Sequence, residues 1–173
     1  MMVRISQKTA ALLVLFIFVS VVPTSAQVES ATVVVEGMAC PFCAFGVEKR
    51  LKKVAGVGTI EVNMAQSSAA LTASAGDSID VAGIPAAIRK AGFTPGTIEA
   101  TAVGTISLED SERPLLMVDG TDQELLLVNL SAEIWQQAAG LGAAGKRVRV
   151  RGPLHLHPDE PAGLEVVRLE AVD

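Results

Sequence analysis

Cys40 and Cys43 are the only thiols in the chain, and only Pro41 and Phe42 separate them. They fall on a turn between a strand-like run ending at Glu36 and a helix-like run from Cys43 to Val54. This spacing lets both sulfurs face one point, an arrangement suited to soft ions of low coordination number such as Cu(I) or Hg(II). Cys43 is expected near a helix N-terminus, where the helix dipole and free N–H groups stabilise a thiolate. Met38 reads as a packing residue under the loop, not as a ligand. Phe42 and Phe45 are expected to shield the site or pack beside it. Residue types alone leave three other uses of the pair open: a structural disulfide, half of a zinc site, and a thiol–disulfide exchange motif. Half a zinc site is weak, because no second Cys or His pair lies nearby in sequence.

Other groups offer less. His155 and His157, the only histidines, share one side of the chain if that segment is extended. With Asp159 and Glu160 they could form a secondary site for Cu(II), Zn(II) or Ni(II). A polar loop after Gly152-Pro153 is the favoured reading. Arg147, Arg149 and Arg151 make a basic stripe on a strand, read as a solvated face paired with neighbouring acids. Trp135, with Ile134 and Ala138, is expected on the core face of a short helix. There is no Ser/His/Asp triad candidate, no Gly-rich phosphate loop and no carboxylate pair in a catalytic context. Cys-Pro-Phe-Cys is similar to a glutaredoxin active site, but neither a βαβ frame leading into the motif nor a suitable cis-proline is evident. Pro85 sits at the start of a helical pattern, where proline fits well.

The elements that must hold the cysteines read as follows. Thr32 to Glu36 is short and β-branched, hence a strand. Val47, Leu51 and Val54 recur at helical spacing opposite a charged face, and Gly56 stops that helix. Val57–Met64 and Ser67–Ala73 read as strands, Ile79–Ala91 as a helix ended by Gly92, and Gly96–Ala102 as the region of a last strand. The order is βαββαβ, an open-faced sandwich. The second half reads as mostly β: strands at Thr101–Leu108, Leu115–Val118, Glu124–Leu130, Lys146–Arg151 and Leu164–Val172. Asp119-Gly120 marks a hairpin, and a helix capped by Ser131 is expected to end near Gly140. That element order matches a small five-stranded barrel of the oligonucleotide/oligosaccharide-binding (OB) type.

At these residues the chain resembles a family, the heavy-metal-associated (HMA) domain. The resemblance covers about residues 31–97 and is carried by Val33–Val35, Gly37-Met38-Ala39-Cys40 with Cys43, and Val47, Leu51 and Gly56-Val57. It continues through Val62-Asn63-Met64 and Leu71 to Ile88-Arg89-Lys90-Ala91-Gly92-Phe93. It implies a ferredoxin-like α+β fold and a soft-metal site at Cys40 and Cys43. Copper chaperones, amino-terminal domains of metal pumps and periplasmic mercury-binding proteins share that family. Phe93 falls at the loop position near the metal in the family, where its ring would limit water access; core packing explains it equally well. Pro41 between the cysteines and a second domain depart from the family's small carriers.

Ala10 to Val22 is apolar, follows Arg4 and Lys8, and is followed by Thr24-Ser25-Ala26. Thirteen helical residues reach roughly 20 Å, short of a ~30 Å hydrocarbon core, so residues 1–26 read as a signal peptide and not as a membrane anchor. The expected organisation is therefore a signal peptide at 1–26, a heavy-metal-associated domain at 27–99 and an OB-like barrel at 100–173. The chain has 173 residues and a net charge of −5. Losing Arg4 and Lys8 leaves 12 bases against 19 acids, a net of −7. That balance and an aromatic content of 3% argue against nucleic-acid partners. The expectation is an exported, periplasmic, non-enzymatic protein whose cargo is Cu(I) or Hg(II), with Zn(II) as a further candidate. It would pass the ion by thiolate ligand exchange to a membrane metal transporter or another metal-binding domain. The alternative is thiol–disulfide exchange at the same pair.

Overall fold

The computed structural model describes residues 28–108, 113–118, 121–157 and 160–172. The signal-peptide reading of 1–26, the Asp119-Gly120 turn and Asp159 lie outside these residues. The fold is α+β, and the nine strands among the described residues form one sheet in the order β2-β3-β1-β4-β5-β6-β8-β7-β9.

The first six elements are β1 (Val28–Glu36), α1 (Pro41–Leu51), β2 (Val57–Asn63), β3 (Ser68–Ala73), α2 (Gly83–Lys90) and β4 (Thr94–Ser107). Strands β2-β3-β1-β4 pair antiparallel. Alternation along β1 buries Ala31, Val33 and Val35, while Thr32, Val34 and Glu36 face away. Val47 and Leu51 of α1, and Ile84 and Ile88 of α2, bury against the inward residues of the sheet. Both helices thus cover one face and the other stays open, the ferredoxin-like arrangement.

Helix α2 is shorter than its apolar spacing suggests. Ile79 and Val81 are buried, yet they precede the helix. The backbone N–H groups of Ile79 and Asp80 donate to the carbonyls of Val28 and Ala55, so this segment is tied to other elements. Asp80 then opens the turn that leads into α2: its carbonyl oxygen and its Oδ1 both accept the Gly83 N–H, at 3.1 and 3.3 Å. Periodicity recorded burial there and not helix.

The remaining elements are β5 (Leu115–Met117), β6 (Glu124–Val128), α3 (Ala132–Ala143), β7 (Arg147–His155), β8 (Ala162–Glu165) and β9 (Arg168–Val172). β4 pairs with β7 as well as with β5, which closes β4-β5-β6-β8-β7 into a five-stranded barrel with β6 and β8 parallel. Ser131 caps α3 by accepting the Ile134 N–H at 3.3 Å. The helix passes through Gly140 and stops before Gly145, whose φ of +60° suits a glycine. Ala138 is buried and Ile134 packs on the core, whereas Trp135 is only half-buried. The single strand expected over Leu164–Val172 is two: β8 pairs with β6 and β7, and β9 pairs with β7 alone. Between them Val166 N–H donates to Val128 O and Val167 N–H to Arg151 O, so the chain changes partners there.

The two strands expected around residues 96–108 are one 14-residue strand, β4. It pairs with β1 from Thr94 to Ala102 and with β7 from Ile98 to Thr105. The expected meeting point at residues 99 and 100 lies inside it. Polar links reinforce this sharing. Arg149 on β7 forks onto Glu29 of β1, Nε to Oε2 at 3.0 Å and Nη2 to Oε1 at 3.1 Å. Arg151 reaches Glu99 at 3.3 Å. Ser78 Oγ accepts the Val28 N–H at 2.9 Å and donates to Gln123 at 3.2 Å. Arg149 and Arg151 of the stripe thus pair with acids on a solvated face, whereas Arg147 departs from that expectation: its Nε is buried with no hydrogen-bond partner among the described residues. Hydrogen bonding to Glu29, then the charge of that carboxylate, raise the Arg149 guanidinium pKa above its ordinary value. Both side chains keep over 30% exposure, so the pair contributes little. Arg149→Gln is expected to cost under about 1 kcal/mol in urea denaturation.

Candidate metal centre

Gly37, with φ of +83°, turns the chain off β1, and Met38 then drops into the core with 3% exposure. Cys40 follows with extended backbone and serves as the N-cap of α1: its Sγ accepts the Cys43 N–H at 3.1 Å. Pro41 occupies the first helical position, where its missing N–H costs nothing. The helix therefore begins at Pro41 and not at Cys43. Cys43 still lies in the first turn, near the helix N-terminus as expected, but the first-turn N–H that serves a sulfur is its own and serves Cys40. The first turn of α1 holds no acidic residue to oppose negative charge there.

Cys40 and Cys43 are joined as a disulfide with Cα atoms 5.1 Å apart. Cys43 packs against the hydrophobic core, while Cys40 stands half-exposed at the cap. Met38, buried beneath the loop, acts in packing. Phe42 and Phe45 do not shield the pair: they are 89% and 66% exposed. Their positions on the outer side of the first two helical turns direct them to solvent. Phe93 is half-buried on the core, and its ring abuts the start of the loop: a Cβ on Gly37 would lie 4.0 Å from Phe93 Cδ1.

A feature missed by the sequence reading lies one turn further along α1. Gly46, Lys49, Arg50 and Lys53 line a groove with Lys90 and Ala91 of α2. The signal was present: every base between residues 28 and 97 sits near the C-terminal end of one of the two helices, as Lys49, Arg50, Lys52, Lys53, Arg89 and Lys90. What the sequence hides is that the helices lie side by side and pool four of those charges, Lys49, Arg50, Lys53 and Lys90, in one groove.

The histidines do not gather into a site. His155 Nε2 lies 3.2 Å from Glu165 Oε2. His157 instead lines a cleft with Arg89, Leu156 and Glu160. Among the described residues, no group of three or more His, Cys, Asp and Glu side chains could hold a metal ion. The donors available at the loop are the two sulfurs.

Residues 32–94 match the family model of the heavy-metal-associated domain. The chain therefore carries a heavy-metal-associated domain, formed by β1 through the start of β4. Solved structures similar to this segment include oxidized MerP from Ralstonia metallidurans CH34, at 28% identity over 39% of this chain and 93% of that one, TM-score 0.35. The CopZ metallochaperone is 25% identical over 39% of this chain and all of its own, 100%, TM-score 0.36. The Cu(I)-loaded N-terminal domain of a potential copper-translocating P-type ATPase from Bacillus subtilis is 32% identical over 40% of this chain and 85% of that one, TM-score 0.35. No curated protein matches the chain.

Proposed function

We infer that the chain captures and transfers a soft metal ion, of the copper or mercury class, through Cys40 and Cys43. The observation that carries this is a pair of cysteines on the first loop of a heavy-metal-associated domain, close enough to converge on one ion. With Met38 buried and no third donor among the described residues, the set is two sulfurs. Two thiolates satisfy Cu(I) or Hg(II) but supply only half of the four ligands that Zn(II) takes in a closed site. Transfer proceeds by ligand exchange: an incoming thiolate from a partner, such as a metal transporter or another metal-binding domain, displaces one sulfur and then the other. Half-exposure of Cys40 supports such an approach.

Residues 1–26 act in this reading as an export signal, which puts the mature protein in the periplasm. Residues 27–99 form the metal domain and residues 100–173 an OB-like barrel. Strand closure in the order β4-β5-β6-β8-β7, with α3 between β6 and β7, supports the OB reading. The barrel stabilises the metal domain through the shared strand or docks on a partner.

Anaerobic titration of the reduced protein with Cu(I) or Hg(II) tests the reading. A single ion per chain is expected for the dithiol and none for the Cys40–Cys43 disulfide. Uptake that is equal in both redox states would place the ion elsewhere and overturn it.

A further inference from the structure

We propose that the same pair carries out thiol–disulfide exchange, with Cys40 as the attacking sulfur and disulfides of anionic peptides as its preferred substrates. This uses the pair of the metal reading but needs no metal, so either activity can fail alone.

The two sulfurs are chemically unequal. Cys40 Sγ already accepts a helix N-terminal N–H, and in the dithiol the same contact stabilises negative charge on Cys40. Cys40 is also the less packed of the two, while Cys43 is set against the core within bonding reach of Cys40. That is the division of labour exchange requires. The Cys40 thiolate attacks one sulfur of a substrate disulfide, forming a mixed disulfide and expelling the other substrate sulfur as a thiolate, which takes a proton from water. Cys43 loses its proton to solvent and attacks Cys40 Sγ. The Cys40–Cys43 bond forms and the second substrate thiolate leaves. Two electrons pass from the pair to the substrate, and the protein ends as the disulfide seen in the structure.

The surroundings select the substrate. Phe42, next in sequence to the site, and Phe45 offer apolar surface to a bound chain. The Lys49, Arg50, Lys53 and Lys90 groove begins just beyond Phe45. An approaching peptide that carries carboxylates is attracted there, and a cationic one is repelled.

The test uses the reduced, chelator-treated protein with two probes, the anionic disulfide of glutathione and the cationic disulfide cystamine. Reactivities are taken relative to free N-acetylcysteine. With glutathione disulfide, Cys43→Ser is expected to trap a mixed disulfide on Cys40, seen by intact mass. Cys40→Ser, which keeps a good helix cap in serine, is expected to react at least about tenfold more slowly. The anionic probe is expected to be favoured by about tenfold at low ionic strength, with the preference shrinking in salt and reversing in Lys49→Glu/Lys53→Glu/Lys90→Glu. Circular dichroism establishes that each variant is folded. Equal trapping by Cys43 in Cys40→Ser would remove the assignment of the attacking sulfur. A cystamine rate matching that of glutathione disulfide at low salt would remove the substrate class.

Discussion

Cys40→Ser/Cys43→Ser is expected to lose stoichiometric binding of Cu(I) and Hg(II) altogether while keeping its fold. The loss should be complete because no other thiol exists in the chain and no alternative cluster of metal-binding side chains occurs among the described residues. The fold should survive because Cys40 is the helix N-cap, where serine is itself a preferred residue, and Cys43 is only partly buried in the first turn. Met38→Ala is the informative contrast. Met38 is buried with 3% exposure, so its truncation should cost about 2 to 4 kcal/mol of stability and leave the ion stoichiometry unchanged. Isothermal titration beside chemical denaturation reads both effects. If Met38→Ala weakened binding as much as loss of a cysteine, the ligand set would have to include the thioether.

Gly152→Ala is expected to be among the most damaging single-methyl changes at the described glycines. A Cβ on Gly152 would lie 1.8 Å from the Glu165 carbonyl oxygen and 3.2 Å from the Val167 nitrogen. Those atoms belong to the crossing where the chain leaves β8 for β9, and the Val167 N–H bonded to Arg151 O holds the crossing together. Nothing at the contact is a flexible side-chain end, so strand backbone must shift, at a cost of about 2 to 4 kcal/mol. Gly152 is also paired with Ala100 on β4, the strand common to both halves. The destabilisation should therefore reach the metal domain, and the variant should unfold in one transition at lower denaturant. Gly140→Ala is the control. Nothing lies within 4 Å of a Cβ there, and the position is an exposed helix interior, so that change should stabilise by up to about 1 kcal/mol. Two separate transitions in Gly152→Ala, with the metal domain unaffected, would show that β4 does not couple the halves.

Elements with alternation or helical spacing over several residues were legible in the sequence: β1, α1 with Val47 and Leu51, and β7 with Val148 and Val150 facing inward. What escaped depended on partners distant in sequence. Ile79 and Val81 lie on the apolar side of a helical pattern, yet their segment is fastened to Val28 and Ala55. Nothing local marks β4 as one strand, because its length is set by β1 on one edge and β7 on the other. The break between β8 and β9 follows from the Gly152 contact, again remote in sequence. At the site, the identity and spacing of Cys40 and Cys43 pointed to their chemistry directly. The exposure of Phe42 and Phe45 was not readable, since apolar type suggests burial while the helix faces them outward. Nor was the asymmetry of the sulfurs, which depends on where the first helical turn begins.

X-ray absorption spectroscopy on reduced protein loaded with one equivalent of Cu(I) or Hg(II) addresses the central claim most directly. Two sulfur neighbours per ion and no dominant nitrogen or oxygen shell are the result this account requires. A first shell made chiefly of nitrogen or oxygen would contradict it, because the ion would then be held by residues other than Cys40 and Cys43.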